Sequence, residues 1–225
     1  VSGVRGFQYP KPDIWHLTPE KNMRTAIYFV RHGQTIANKQ RRYQSYSDSP
    51  LTAYGQAQAE ALAQRLQRLP FDVALISPLG RCRATAEPIL ADRDDVARIE
   101  APEWTEVHHG QWEGLSYAEV LTNFPEEARD RWDQGIDGKA LGGESLAEAT
   151  VRIHAAWQSL LERYPGGRVL VITHATPIQL VICRIFGLTP TAQWQWRIDQ
   201  GSLTAMDVYA AGTIIRRVNE VPRLM

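Results

Sequence analysis

Two imidazoles and two guanidiniums stand where apolar runs of this chain break off. Ala26-Ile27-Tyr28-Phe29-Val30 runs straight into Arg31-His32 and then Gly33. A second run, Asp72 to Ile76, stops in Ser77-Pro78-Leu79-Gly80-Arg81, and a third, Arg168 to Thr173, stops in His174. Buried strands of a parallel α/β sheet end in this way, and ligands of such sheets sit outside the carboxyl ends of the strands. On one sheet edge these groups would converge, although they lie far apart in the chain. The planar fork of Arg suits the oxygens of a phosphoryl group, and an imidazole beside it is a potential nucleophile. Any one of these residues is ordinary at a strand tip. The three strand ends taken together point to an anion site.

The elements that would place these groups can be read from hydrophobic spacing. Thr52 is an N-cap for a helix to about Leu69, with Ala57, Ala61, Leu62, Leu66 and Leu69 at helical spacing and Pro70 as its stop. Ahead of it, Ile36 to Ser49 reads as a polar, Arg-rich loop. A helix follows Arg81 to about Leu90, and Val96 to Ile99 is a weaker strand. From Pro102 to Gly143 the pattern loosens into a polar, aromatic, glycine-bearing loop (Glu106 to Gly114). Two short helices follow, over about Ser116 to Asn123 and Pro125 to Gln134. This stretch reads as an insertion over one end of the sheet, the usual place for a substrate cover.

Gly142-Gly143-Glu144-Ser145 leads into a long helix to about Tyr164, with Leu146, Val151, Ile153, Trp157, Leu160 and Leu161 on its buried side. After His174 a helix runs from about Pro177 to Phe186, with its proline in the first turn. Leu203 to Tyr209 and Thr213 to Val218 close the chain as an antiparallel pair around Ala211-Gly212. The alternation of strand and helix predicts a three-layer α/β/α sandwich on a mainly parallel central sheet.

At 225 residues and 44% hydrophobic content the chain suits one domain, expected over 23–225. Val1 to Asn22 carries Pro10, Pro12, Pro19 and isolated aromatics, and reads as an N-terminal extension or an expression remnant. Phe7 and Trp15 are its candidates for packing back on the body, and it lacks the apolar core of a secretory signal. With 25 basic and 25 acidic residues, nothing predicts a nucleic-acid footprint or a polybasic membrane anchor. No apolar stretch reaches the roughly 18 residues of a membrane span. Cys82 and Cys183 are the only cysteines and match no metal spacing, which favours a reduced, cytoplasmic setting.

Arg31-His32-Gly33-Gln34-Thr35, with Asn38 following, resembles the opening motif of the histidine phosphatase superfamily, the phosphoglycerate mutase-like fold. Ser77-Pro78-Leu79-Gly80-Arg81 with Thr85-Ala86 resembles its second arginine motif. Glu106 with Gly110, Trp112, Glu113 and Gly114 resembles its acid motif, Gly143-Glu144-Ser145 a further block, and Thr173-His174 its second histidine. The blocks occur in the family's order over about 24–210. One triplet would be weak; five ordered blocks are strong.

The resemblance implies a metal-independent phosphomonoesterase acting on a small phosphate monoester, with no cofactor. His32 would be the nucleophile, forming a phosphohistidine; Arg31, Arg81 and His174 would hold the phosphoryl oxygens. Glu106 would protonate the leaving alkoxide and then take a proton from the attacking water, with Glu103 and Glu113 as competitors for that role. Asn38 would add a neutral donor, and Gln44, Ser45, His109 and Ala175 would line the substrate. The chain departs from the family's pattern where Ala175 stands for a frequent glycine after the second histidine, and where Ser45 stands for another after Gln44. These departures bear on the pocket wall and the substrate, not on the reaction.

Within the family, the short stretch Leu115 to Leu141 has only Arg129, Arg131 and Lys139 as basic residues, which favours hydrolysis over mutase-type transfer. His108-His109, Phe124-Pro125-Glu126-Glu127 and His174-Ala175-Thr176-Pro177 look most like the metal-independent phosphoserine phosphatases, with alpha-ribazole phosphate and sugar phosphates open. A catalytically silent phosphate-binding module on the same fold is the reading of a different class. Trp194 and Trp196 read first as packing against the last helix, with a homodimer contact or a pocket rim as the alternative. Arg41-Arg42 reads as a solvated loop or as a basic funnel at the pocket mouth.

Overall fold

The computed structural model describes residues 23–224, Gln134 excepted; the expectations for Val1 to Asn22 lie outside the described residues. The chain builds a six-stranded sheet from β1 (Thr25–Arg31), β2 (Val73–Ile76), β3 (Ala97–Glu100), β4 (Arg168–Thr173), β5 (Leu203–Tyr209) and β6 (Gly212–Glu220). Their order across the sheet is β3-β2-β4-β1-β5-β6. β1 to β4 pair in parallel, and β5 runs antiparallel to β1 and β6. The sheet is therefore mainly parallel, with an antiparallel edge.

Both faces of β1 are apolar because both are covered. Ile27 and Phe29 join one core with α6 (Leu146–Arg163) and α7 (Ala175–Ile185). Ala26, Tyr28 and Val30 join the other, beneath α2 (Ala53–Leu66) and α3 (Gly80–Leu90). The period-2 alternation of the strand divides its side chains between these layers. Burying Phe29 completely contributes about 1.5–3 kcal/mol. The helix after β1 and the helix after β4 lie on opposite faces while the two strands are neighbours. Their carboxyl ends therefore meet at the topological switch point of the sheet, where open α/β sheets bind their ligands.

Helix starts follow the capping residues. Thr52 accepts a hydrogen bond from the Gly55 N–H, and Ser145 forms a capping box with Glu148. α2 ends at Leu66, short of the expected Leu69, and Arg93 closes it by donating to the Leu66 and Leu69 carbonyls. Ile36 to Ser49 is not wholly loop. Thr35 and Asn38 make a reciprocal capping box that starts the short helix α1 (Ile36–Lys39). α7 begins at Ala175, two residues before the expected Pro177, directly off His174.

Val151, expected on the buried side of α6, is 72% exposed. Leu146, Ile153, Trp157 and Leu160 are buried as expected, and Leu161 is partly buried. The segment 102–143 carries two 3₁₀ turns, α4 (Tyr117–Asn123) and α5 (Pro125–Asp133), around a small core of Trp112, Val120, Ala128 and Ala140. Among the described residues no helix is long and apolar enough to cross a membrane.

Candidate active site

At the end of β1 the chain turns sharply, and the turn fixes an imidazole. The His32 N–H donates to the Thr173 carbonyl at 3.0 Å, tying it to the tip of β4. Gly33 then passes so close to α2 that a Cβ would lie 2.4 Å from the Gly55 carbonyl oxygen, and a Cβ on Gly55 would lie 2.1 Å from the Gln34 oxygen. Only glycines allow this approach. The Thr85 hydroxyl receives the Gly33 N–H at 3.0 Å.

His32 is 3% exposed, and its Nδ1 lies 2.8 Å from the Gly33 carbonyl oxygen. A carbonyl can only accept, so Nδ1 carries the proton and Nε2 keeps its lone pair. Burial, then the Arg81 and Arg31 charges, push the ring well below the usual histidine range, so it is neutral at pH 7. Nε2 is thus an uncharged, preoriented nitrogen with Arg81 Nε 3.3 Å away.

Arg81 rises from the first turn of α3, and its side chain is 1% exposed. Its Nη2 donates to the Ser45 carbonyl at 2.8 Å and its Nη1 to the Ser47 carbonyl at 3.3 Å. His174, fully buried, packs edge-on to His32 with ring centroids 5.2 Å apart. Its Nε2 is 2.8 Å from Ser77 Oγ and 3.5 Å from Cys82 Sγ. Burial, then the Arg81 charge, hold His174 well below its usual value too. Cys82 is buried beside it, and burial pushes its thiol up to about 12, so it is inert.

Arg31 donates from Nη1 to the Ile198 carbonyl at 2.6 Å, while its Nε is buried with no hydrogen-bond partner among the described residues. Burial lowers its pKa, and the charges of Glu106 and Asp199 oppose that. Glu106 is 8% exposed, and one carboxylate oxygen accepts the Val107 N–H at 3.0 Å. Its carboxylate charge works against the burial that lowers both the Arg31 and the Arg81 pKa. Glu113 competes poorly as an acid, because its Oε1 already accepts from Ser45 N, Ser47 N and Ser47 Oγ.

The other expected site residues divide. Gln44 is buried, with Oε1 taken by the Thr35 hydroxyl and Nε2 left without a partner among the described residues. Asn38 gives its Oδ1 to the Thr35 N–H, so its Nδ2 is the end available as a donor. Ser45, fully buried, turns its hydroxyl to the His109 N–H at 3.0 Å, a link the more frequent glycine could not make. The His109 ring lies edge-on to Tyr43. His108 turns away to the Gly142 carbonyl and packs on Tyr46. Ala175 is partly exposed at the start of α7.

Arg42 is not part of a basic funnel: it donates to Glu119 and to the Gly114 carbonyl. Trp196 stacks on Phe186 at 5.4 Å, whereas Trp194 is 79% exposed. Ser77 was visible in the sequence only as part of a motif, although its position at a strand end is the same signal that marked His174. Among the described residues no cluster of three or more His, Cys, Asp and Glu could hold a metal ion.

Comparison with known proteins gives a consistent picture. A family model described as the histidine phosphatase superfamily (branch 1) matches residues 27–221. A 2,3-bisphosphoglycerate-dependent phosphoglycerate mutase 2 of Gloeobacter violaceus is 32% identical over 191 residues, covering 83% of this chain and 87% of that one. Phosphoserine phosphatase 1 of Hydrogenobacter thermophilus is 30% identical over 194 residues, covering 86% and 91%. The crystal structure of the alpha-ribazole phosphatase from Shigella flexneri superposes with a TM-score of 0.82 at 27% identity, covering 88% of this chain and 98% of that one.

Proposed function

This chain belongs to the histidine phosphatase superfamily, and we propose that it hydrolyses a small phosphate monoester through a phosphohistidine on His32. The observation that carries this is the His32 tautomer: with Nδ1–H donated to the Gly33 carbonyl, Nε2 carries a lone pair, facing Arg81 Nε, and can attack phosphorus without first losing a proton. Arg31, Arg81 and neutral His174 receive the phosphoryl oxygens as charge redistributes over them. Glu106, in its acid form, gives its proton to the departing alkoxide as the P–O bond breaks and the N–P bond forms. In the second step the Glu106 carboxylate takes a proton from water as the water oxygen attacks phosphorus. Phosphate leaves, and Nε2 regains its lone pair.

Cations of the protein supply the charge neutralisation, which supports a reaction that runs without added metal. Of the basic residues in 115–141, Arg129 is exposed and Lys139 is paired with Glu148. The shortness of this segment and its few basic residues are the ground for favouring hydrolysis over mutase-type transfer, which must hold a second acidic group on the substrate. Phosphoserine is the first substrate to test, given the phosphatase relative at 30% identity, with alpha-ribazole phosphate and sugar phosphates beside it. The segment 102–143 serves as the substrate cover in this reading.

The test is a phosphate-release screen of these esters with EDTA present, followed by kinetics on the best few. Turnover of at least one ester in EDTA is expected. No phosphate release from any of them, with inorganic phosphate still bound, would favour the silent phosphate-binding module instead.

A further inference from the structure

The loop that grips Arg81 has no regular structure of its own, and three of its residues, Tyr46, Ser47 and Asp48, are exposed. Its carbonyls at Ser45 and Ser47 nevertheless hold a buried guanidinium in place. What fixes that backbone is a carboxylate behind it. Glu113 Oε1 accepts the Ser45 N–H at 2.7 Å, the Ser47 N–H at 2.6 Å and the Ser47 hydroxyl at 2.8 Å. The residues whose N–H groups point back to Glu113 are therefore the ones whose carbonyls point forward to Arg81.

Glu113 also lies on the segment that carries Glu106. A second strap, Ser45 Oγ to the His109 N–H, joins the same two loops. Burial works to raise the Glu113 carboxyl, but its hydrogen bonds to Ser47 and Ser45 win and hold it below its usual value. It is a carboxylate at neutral pH, and its bonds are the strong, charge-assisted kind.

We propose that Glu113 is the positioning residue for Arg81, fixing the 45–47 backbone so that the guanidinium is held at His32 and in register with Glu106. The inference rests on the role given to Arg81 above. Glu113 touches neither the ester nor His32; it acts through the loop. An amide at this position keeps one acceptor oxygen without the charge, whereas alanine removes all three bonds.

The experiment is a double-mutant cycle read by calorimetric binding of inorganic phosphate and by p-nitrophenyl phosphate kinetics. It uses the wild-type chain, Glu113→Gln, Glu113→Ala, Arg81→Ala and the Glu113→Ala/Arg81→Ala pair. Glu113→Ala should weaken phosphate binding about ten- to hundredfold, with KM rising in step and Glu113→Gln falling between it and wild type. In the Arg81→Ala background the same change should alter phosphate binding by less than about twofold, because the group it positions is gone.

Equal losses in both backgrounds, or no loss in either, overturn the proposal. Melting curves identify a variant that does not fold; if Glu113→Ala fails, Glu113→Gln takes its place in the cycle with the same criterion. If the wild-type chain neither binds phosphate nor cleaves the ester, the functional reading itself falls and this inference with it. If the wild type works and the cycle is additive, only the role of Glu113 falls.

Discussion

Arg152 and Glu144 face each other through two parallel hydrogen bonds, Nε to Oε1 at 2.9 Å and Nη2 to Oε2 at 2.6 Å. The remaining guanidinium nitrogen reaches the Glu103 and Thr105 carbonyls, both at 3.0 Å. The Glu144 N–H donates to the His108 carbonyl. A single ion pair thus grips the backbone on either side of Glu106, so that its segment is held from α6 as well as from its own loop.

Replacing Arg152 by Met keeps the bulk and loses the grip. The pair is partly exposed, at 23% and 16% of the two side chains, so screening reduces its worth, and a loss of about 1–3 kcal/mol is expected. Alkyl phosphate cleavage should fall about tenfold and aryl phosphate cleavage less, since the acid is what loses its register. Urea melts and paired kinetics check this. An equal slowing of both ester types would show that the pair does not aim Glu106.

His32→Ala should abolish turnover while the fold survives, because a strand-tip side chain contributes little to either core. Acid-quenched wild-type enzyme should carry an acid-labile, base-stable phosphate on His32. A variant with near wild-type activity would end the assignment.

Glu106→Gln keeps the shape of the acid without its transferable proton. Alkyl phosphates should slow about 10²–10⁴-fold. p-Nitrophenyl phosphate leaves as a stable anion, so its first step should suffer far less. Its second step still needs water activated, so phosphoenzyme should accumulate and a burst should appear. Equal slowing of both esters without a burst, or the same split in Glu103→Gln, would move the acid elsewhere.

His32 and His174 are both held neutral by burial and by cationic neighbours, well below the ordinary value. Below about pH 6.5 the unfolded chain takes up protons that the folded chain refuses. Their contribution to stability is whole above that pH and drains as pH falls, by up to about 1.4 kcal/mol per pH unit for each ring. Urea midpoints at pH 7.5 and 5.5 should show the drop, and His174→Gln should make it shallower. A wild-type midpoint as high at pH 5.5 as at 7.5 would contradict the neutral pair.

Much of the site was legible because it lies at strand ends, where an apolar run stops at a reactive residue. Arg31, His32, Arg81 and His174 all carried that signal, and the sheet brings them to one edge. Cap residues were equally plain, as Thr52 and Ser145 show. Val151 misled because apolar type was weighed without angle: five residues past Leu146 it points to the opposite side of α6, while Ile153, seven past, returns to the core. The work of Glu113, Arg152 and Arg42 was not legible at all. Each acts on backbone far away in the chain, and a contact of that kind leaves no period or spacing behind.

Cys82 and Cys183 are both buried, and burial raises both thiols above their ordinary value. With no other cysteine in the chain, the native protein is already a blank background for thiol-directed dyes. Leu141→Cys would put a single reactive thiol at a position that is 72% exposed, beside the Gly142–Gly143 turn. A fluorophore there would test whether the segment 102–143 moves during turnover, with no native cysteine removed to make room for the label.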